Sequence, residues 1–304
     1  MKTQNSFGAT RIHLSIFCAG AIAVGLALNA HAQNLNGTLA AGYGSALAVQ
    51  TINTGFGDST VGDGTSAGGS ELDAAYGTVQ GGYLDIFLAG NFEGNGNHVN
   101  LFVSDGAAGQ STLNLPATGS MSSMNGSSFS PGFNANLAVD MNFYAPNNAY
   151  YLEEYTIAGA TASGGYVGSV GTSGGIGSGS PGPNGIIYGL NDTHVSTMGA
   201  AGAAANPAAM LSTHTGLEIG IPLSVLGNPT GSVEVLADIN GGGDGYLANQ
   251  FLPGLPVGTG NLGTPGFNFA STPNEFFTVE VPEPGTITLV GMGLAGLLSS
   301  LRRK

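Results

Sequence analysis

Apolar and polar residues alternate in three short runs near the start of the chain's body. The first covers residues 72–79. The second, 83–92, places Leu84, Ile86 and Leu88 on one face and Tyr83, Asp85 and Phe87 on the other. The third, 98–104, places Val99, Leu101 and Val103 on one face. A period of two predicts strands with one face in a core. Gln80-Gly81-Gly82 and Gly94-Asn95-Gly96-Asn97 separate the runs, and such residues accept the positive φ of tight turns. The three strands are therefore expected to form an antiparallel meander. Similar runs predict strands at 137–143, 150–157, 186–190, 216–221, 233–238 and 276–281. Pro222 to Gly227 reads as one helical turn, with Pro at its start and Gly as its stop. Residues 158–185 are rich in Gly and Ser without a core pattern and are expected to be a mobile loop. The Ala-rich stretch 196–210 reads as a short helix or a loop. Many short strands with few helices predict an all-β fold, an antiparallel two-sheet β-sandwich of jelly-roll type.

The two ends follow a different pattern. Residues 14–28 form an apolar run of 15 residues (28 − 14 + 1), preceded by Lys2 and Arg11 and followed by Ala30-His31-Ala32. A positive start, an apolar run and small residues at −3 and −1 make a secretory signal peptide, 1–32, with a signal helix that signal peptidase removes before Gln33. The chain's one Cys, Cys18, lies inside it, so the mature protein is expected to have neither disulfides nor thiol chemistry. At the other end, Val281-Pro282-Glu283-Pro284-Gly285 precedes an apolar stretch, 286–301, and the tail Arg302-Arg303-Lys304. Those 16 residues (301 − 286 + 1) make a helix of ~24 Å, slightly short of a ~30 Å bilayer core. The prolines start this transmembrane helix, and the basic tail holds its end in the cytoplasm. The expected organisation is thus a signal peptide, a secreted Gly-rich sandwich at 33–281, and a C-terminal signal at 282–304.

This ending resembles the PEP-CTERM protein-sorting domain of Gram-negative bacteria in the Pro282-Glu283-Pro284 motif, the Gly-bearing span and the terminal Arg302 and Arg303. The resemblance implies an exosortase, a membrane cysteine protease, as a processing partner. It would cleave near the motif and deliver the body to the cell surface or the extracellular matrix, with only transient residence in the inner membrane. It also implies a bacterium that makes exopolysaccharide. Between Glu71 and Val281 the strand order, including 217–223, is similar to DOMON-like sandwiches and family 9 carbohydrate-binding modules. The stretch 249–263 resembles a segment recurring in uncharacterised PEP-CTERM proteins and implies no activity.

Charge sharpens this picture. The five Lys and Arg residues are Lys2, Arg11, Arg302, Arg303 and Lys304, all in the two terminal signals. Of 18 acidic residues only Glu283 lies outside 33–281, which leaves 17 in the body against no Lys or Arg. Nucleic-acid binding and phosphate clamping need Lys or Arg, so both are excluded for the body. Such a body repels itself, and extracellular cations would stabilise it.

Three kinds of chemistry remain. Asp238, Asn240 and Asp244 offer oxygen ligands in a Gly-rich loop, a candidate calcium site without the spacing of an EF-hand. For catalysis, His98, His194 and His214 show no metal-protease spacing. Glu153 and Glu154 are neighbours on a strand, point to opposite faces and cannot alone form a glycosidase pair. His98 and His194 are expected on the surface or in turns. No enzyme is expected and no catalytic residue is assigned. Tyr150, Tyr151 and Tyr155, with Tyr83 and Tyr144, could form an aromatic platform for sugars in place of the absent Trp. The expected role is structural, adhesive or polysaccharide-binding, with exopolysaccharide as the partner. The alternative is a calcium-stabilised scaffold without sugar affinity, and a secreted hydrolase comes third.

Overall fold

A computed structural model describes residues 35–56, 69–171, 176–178, 182, 184–193 and 199–282. The strands are β1 (Ala48–Val49), β2 (Glu71–Gln80), β3 (Tyr83–Asn91), β4 (His98–Ser104), β5 (Leu137–Tyr144), β6 (Ala149–Ala158), β7 (Thr161–Val170), β8 (Ile176–Ser178), β9 (Ile187–Asn191), β10 (Gly216–Pro222), β11 (Gly231–Gly241), β12 (Tyr246–Leu252) and β13 (Phe277–Val281). They form two antiparallel sheets. The first runs β1-β2-β3-β10-β9-β8. The second runs β12-β11-β4-β5-β6-β7, with β13 sharing the outer edge of β11 with β12. The fold is the β-sandwich that the alternating runs predict.

The space between the sheets is filled by the apolar faces of those runs. Leu84, Ile86 and Leu88 of β3 share one core with Leu101 and Val103 of β4 and Val139 of β5. The second sheet is covered on its outer face too. Phe102, Ala138, Tyr155 and Leu236 pack there under Leu113, Met121, Phe129 and Phe133 from the β4–β5 connection, and under Phe267 and Phe269 from the β12–β13 connection. Ring centroids of Phe102 and Phe129 lie 5.1 Å apart, edge to face, which adds to the burial of their area. The first sheet's outer face is covered by the segment from Leu35 to Tyr43. Glu218 of β10 accepts hydrogen bonds from Asn36 N (3.0 Å), Gly37 N (3.2 Å) and the Tyr43 hydroxyl (2.9 Å). That segment lies so close to β9 that a Cβ on Gly189 would sit 2.3 Å from the Leu35 carbonyl oxygen.

Two expectations need correction. β2 and β3 form the predicted hairpin, but β4 does not continue a meander. It crosses to the second sheet and pairs with β5 and β11. The turn at 92–97 carries the chain over, so the apolar faces of β3 and β4 meet across the core instead of lying side by side. The Gly/Ser-rich stretch 158–185 is not loop throughout: it contains β7 and β8. β7 is an edge strand of small, mostly exposed residues held by backbone pairing to β6, which leaves no hydrophobic period to read. Pro222 to Gly227 makes successive i→i+3 turns, Val225 N to Pro222 O and Leu226 N to Leu223 O, closed by Gly227 at φ 70°. The Ala-rich stretch contributes one helical turn, α1 (Pro207–Met210), capped by the Asn206 side chain. The expected signal helix, the transmembrane helix, and the residues Ala30, Ala32, Gln33, Glu283, Pro284, Arg302 and Arg303 lie outside the described residues. Among the described residues no helix is long and apolar enough to cross a membrane.

Candidate functional site

Strand register assembles a polar row on the outer face of the second sheet, just beyond the apolar cover. Asp238 of β11 pairs with Asn100 of β4, Asn100 with Asp140 of β5, and Asp140 with Glu153 of β6. His98 lies two residues before Asn100 and so shares its face. The β11–β12 turn brings in Asp244, itself at φ 54° after Gly242 and Gly243 at 44° and 68°. Gly tolerates such angles at little cost, and Asp is among the few other residues that adopt them. A 3-10 turn, Ser120–Met124, closes the row from above.

The geometry is dense. His98 Nδ1 lies 2.9 Å from Asp140 Oδ1 and 3.4 Å from Asp244 Oδ2. Asn100 Nδ2 donates to Asp238 Oδ1 (3.0 Å) and Asp244 Oδ1 (2.9 Å). The Ser120 hydroxyl is 2.6 Å from Asp140 Oδ2 and 2.9 Å from Glu153 Oε2, which also accepts from the Tyr155 hydroxyl. Asp140, Asp238, Asp244 and Asn100 are fully buried and His98 nearly so. Burial alone would lower the His98 pKa, but the charge and hydrogen bond of Asp140, with Asp244 and Glu153 behind it, raise it to about 9. Burial pushes Asp244 up to about 7, reinforced by the charge of Asp140 and opposed by His98 and the Asn100 hydrogen bond. Burial also holds Asp238 well above the ordinary carboxylate range.

Of the sequence-predicted ligands, Asp238 and Asp244 meet here, joined through Asn100. Asn240 does not join them. Its amide donates to the Asp244 and Pro265 carbonyls and its oxygen accepts from Tyr246 N, so it braces the turn that presents Asp244. His98, expected at the surface, is buried because the β4–β5 connection covers this face. Asp140, Asn100 and Ser120 were not singled out by sequence. His98 and Asp140 are 42 residues apart, and only the β4–β5 register joins them. His194 lies outside the described residues, and His214 is exposed.

The predicted tyrosines divide. Tyr150 and Tyr155 are buried, the first in the inter-sheet core and the second under the outer cover. Neither can stack on a sugar. Tyr151, half-buried, instead groups with Tyr144 and Tyr166, which are 50% and 56% exposed. Ring centroids are 5.7 Å apart for Tyr144–Tyr151 and 5.4 Å for Tyr151–Tyr166. Register puts Tyr166 beside Glu153 and Tyr151 beside Asn142, so the group continues the polar row onto the open surface. A cleft of about 470 Å³ beside Tyr166 is lined by Glu154, Thr156, Ser163 and Asn184. A second, of about 500 Å³, lies at the β11–β12 turn between Asn95, Asn97 and the stacked rings of Phe56 and Tyr246, 6.2 Å apart. Glu153 and Glu154 do face opposite ways. The first meets Ser120 and the second accepts from Asn184.

Residues 280–304 match the family model of the PEP-CTERM protein-sorting motif. No curated protein and no solved structure matches the chain.

Proposed function

We propose that this protein, exported and sorted by an exosortase through its C-terminal motif, is a surface or matrix protein that binds a neutral polysaccharide on the outer face of its second sheet. The surface run Tyr144–Tyr151–Tyr166 carries the reading. Three rings on three adjacent strands form a platform along the sheet edge. Aromatic faces suit the apolar faces of sugar rings, and the tyrosine hydroxyls and neighbouring amides of Asn142 and Asn147 suit their hydroxyls. Large aromatics left exposed on a folded domain mark interaction surfaces.

Charge selects the polymer. With 17 acidic residues and no Lys or Arg between residues 33 and 281, the body repels polyanions, so uronate-rich or sulfated chains are disfavoured. The platform performs no bond-breaking step, and binding would fix the body within the polymer that surrounds the cell. Calcium would stabilise the acidic body and leave recognition to the rings. Immobilised polysaccharides, including the one made by the native cells, test the reading. Retention on a neutral polymer supports it. Retention on none would leave a scaffold without sugar affinity.

A further inference from the structure

We infer that His98, Asp140 and Asp244 form a site for one divalent first-row transition ion, separate from the tyrosine platform. One ligand atom from each, an imidazole nitrogen and two carboxylate oxygens, lies within 4.8 Å of the others. Ligands bound at ~2.0–2.1 Å around a tetrahedral ion lie ~3.3 Å apart. The distances from His98 Nδ1 to the two carboxylates, 2.9 and 3.4 Å, bracket that spacing. The three side chains are already gathered around a common point.

Two further oxygens point to a ligand. Asp238 Oδ2 and Asn100 Oδ1 are buried without a hydrogen-bond partner, although the other oxygen of Asp238 and the nitrogen of Asn100 are bonded within the same cluster. An unsatisfied buried polar atom costs about 1–3 kcal/mol, more when charged. Both residues belong to the network that holds Asp244, and Asp244 Oδ2 itself, 3.4 Å from His98 Nδ1, is likewise buried without a hydrogen-bond partner. The carboxylates also outnumber the one imidazole, and no Lys or Arg exists in the body to balance them.

The donor set selects the ion. Calcium and magnesium take oxygen ligands, whereas a nitrogen–oxygen set with imidazole suits zinc and its neighbours. The ion would differ from the calcium expected for Asp238, Asn240 and Asp244, with His98 and Asp140 in place of Asp238 and Asn240. Its role would be structural. It would tie the β11–β12 turn to β4 and β5, and Ser123 already holds the Gly243 carbonyl of that turn at 2.9 Å from the covering 3-10 turn. The open cleft over Gly241, Gly242 and Gly245 gives a path to the turn.

The test uses the full-length protein in detergent, stripped with chelator and titrated with zinc, cobalt or calcium. We expect one equivalent of zinc to bind and raise the melting temperature by several degrees. Cobalt should give a visible spectrum of nitrogen–oxygen coordination. Asp244→Asn and His98→Gln should each weaken zinc binding at least tenfold, and Glu280→Gln, an exposed acid, should leave it unchanged. If either variant fails to fold, the cobalt spectrum and the one-to-one stoichiometry of the wild-type protein decide. The assignment is overturned if zinc does not bind stoichiometrically, if the cobalt spectrum lacks a nitrogen ligand, or if calcium matches the zinc effect.

Discussion

Nδ1 of His98 lies 2.9 Å from Oδ1 of Asp140, both buried on the outer face of the second sheet. In a body without Lys or Arg, this imidazole is the one buried positive charge available among the described residues. Asp140 holds the position twice more, accepting from Ser120 at 2.6 Å and from Asn142 at 3.1 Å. Removing one partner of a buried ion pair leaves the other uncompensated and costs about 3–5 kcal/mol. Asp140→Ala is therefore expected to lower the urea-unfolding free energy of chelator-treated protein by about that amount. A loss below about 1 kcal/mol would mean that the pair does not hold the strands.

Stability of the chelator-treated protein is expected to rise as pH falls from 8 to 5, the reverse of ordinary acid denaturation. Burial pushes Asp73 on β2 up to about 7, opposed by a hydrogen bond from Thr213, against an ordinary value of 3.8. In the folded protein its proton is kept through the interval where the unfolded chain has lost it. This contribution is greatest below the ordinary value, declines as pH rises toward 7 and levels off above it. Burial moves Glu275 in the same direction, also to about 7. His98, raised to about 9, adds stability that is complete below 6.5 and lost as pH rises through 9. Melting curves at pH 5 and pH 8 check the sign, and Asp73→Asn should flatten the difference.

The fold was more legible than the site, for physical reasons. β3 announces itself because Leu84, Ile86 and Leu88 fill the inter-sheet core from one face while the other carries Tyr83 and Asp85, whose polar groups break the apolar run into a period of two. β7 gives no such signal, because its edge position is held by backbone bonds and its residues are small. β4 was legible as a strand but not in its sheet, since Val99, Leu101 and Val103 face a core in either arrangement. Tyr155 is a natural candidate for a sugar platform because a sandwich sheet normally has one open face, but the β4–β5 and β12–β13 connections close that face here. Tyr150 faces the other sheet and lies in the inter-sheet core. Asp238 and Asp244 were readable from a Gly-rich loop. Their partners His98 and Asp140 come from strands far away in sequence and meet only through register.

The segment that contains Leu35 to Tyr43, close after the expected cleavage before Gln33, is part of the fold, and the Asn36 and Gly37 amides reach Glu218. A Cβ on Gly189 would lie 2.3 Å from the Leu35 carbonyl carbon and oxygen, and backbone cannot yield as a flexible side chain does. Gly189→Ala is expected to lift this segment from the first sheet, expose Tyr43 and Phe87, and lower the melting temperature by several degrees. Limited proteolysis followed by N-terminal sequencing should show early cleavage near residues 35–43 in the variant only.

Processing should leave a body more acidic than the whole chain. Loss of 1–32 and of the residues after the sorting motif removes all five Lys and Arg residues. Mass spectrometry of protein from its own cells is expected to give a chain starting near Gln33 and ending near Pro282. Replacing Pro282, Glu283 and Pro284 together by Ala should keep the C-terminal tail attached and the protein in the membrane fraction. Normal release of that variant would show that the motif is not read.

The central claim is that Tyr144, Tyr151 and Tyr166 bind a neutral polysaccharide, and a direct binding isotherm tests it. Wild-type protein and the Tyr151→Ala/Tyr166→Ala double variant are titrated with the neutral polymer of the native matrix, with circular dichroism confirming that both are folded. Tyr166 is exposed and Tyr151 half-buried at the sheet surface, outside the apolar cores, so the variant should melt within a few degrees of wild type. Saturable wild-type binding that weakens at least tenfold in the variant, about 1.4 kcal/mol, is the expected result. Equal binding by the two proteins, or no binding by either, would contradict it.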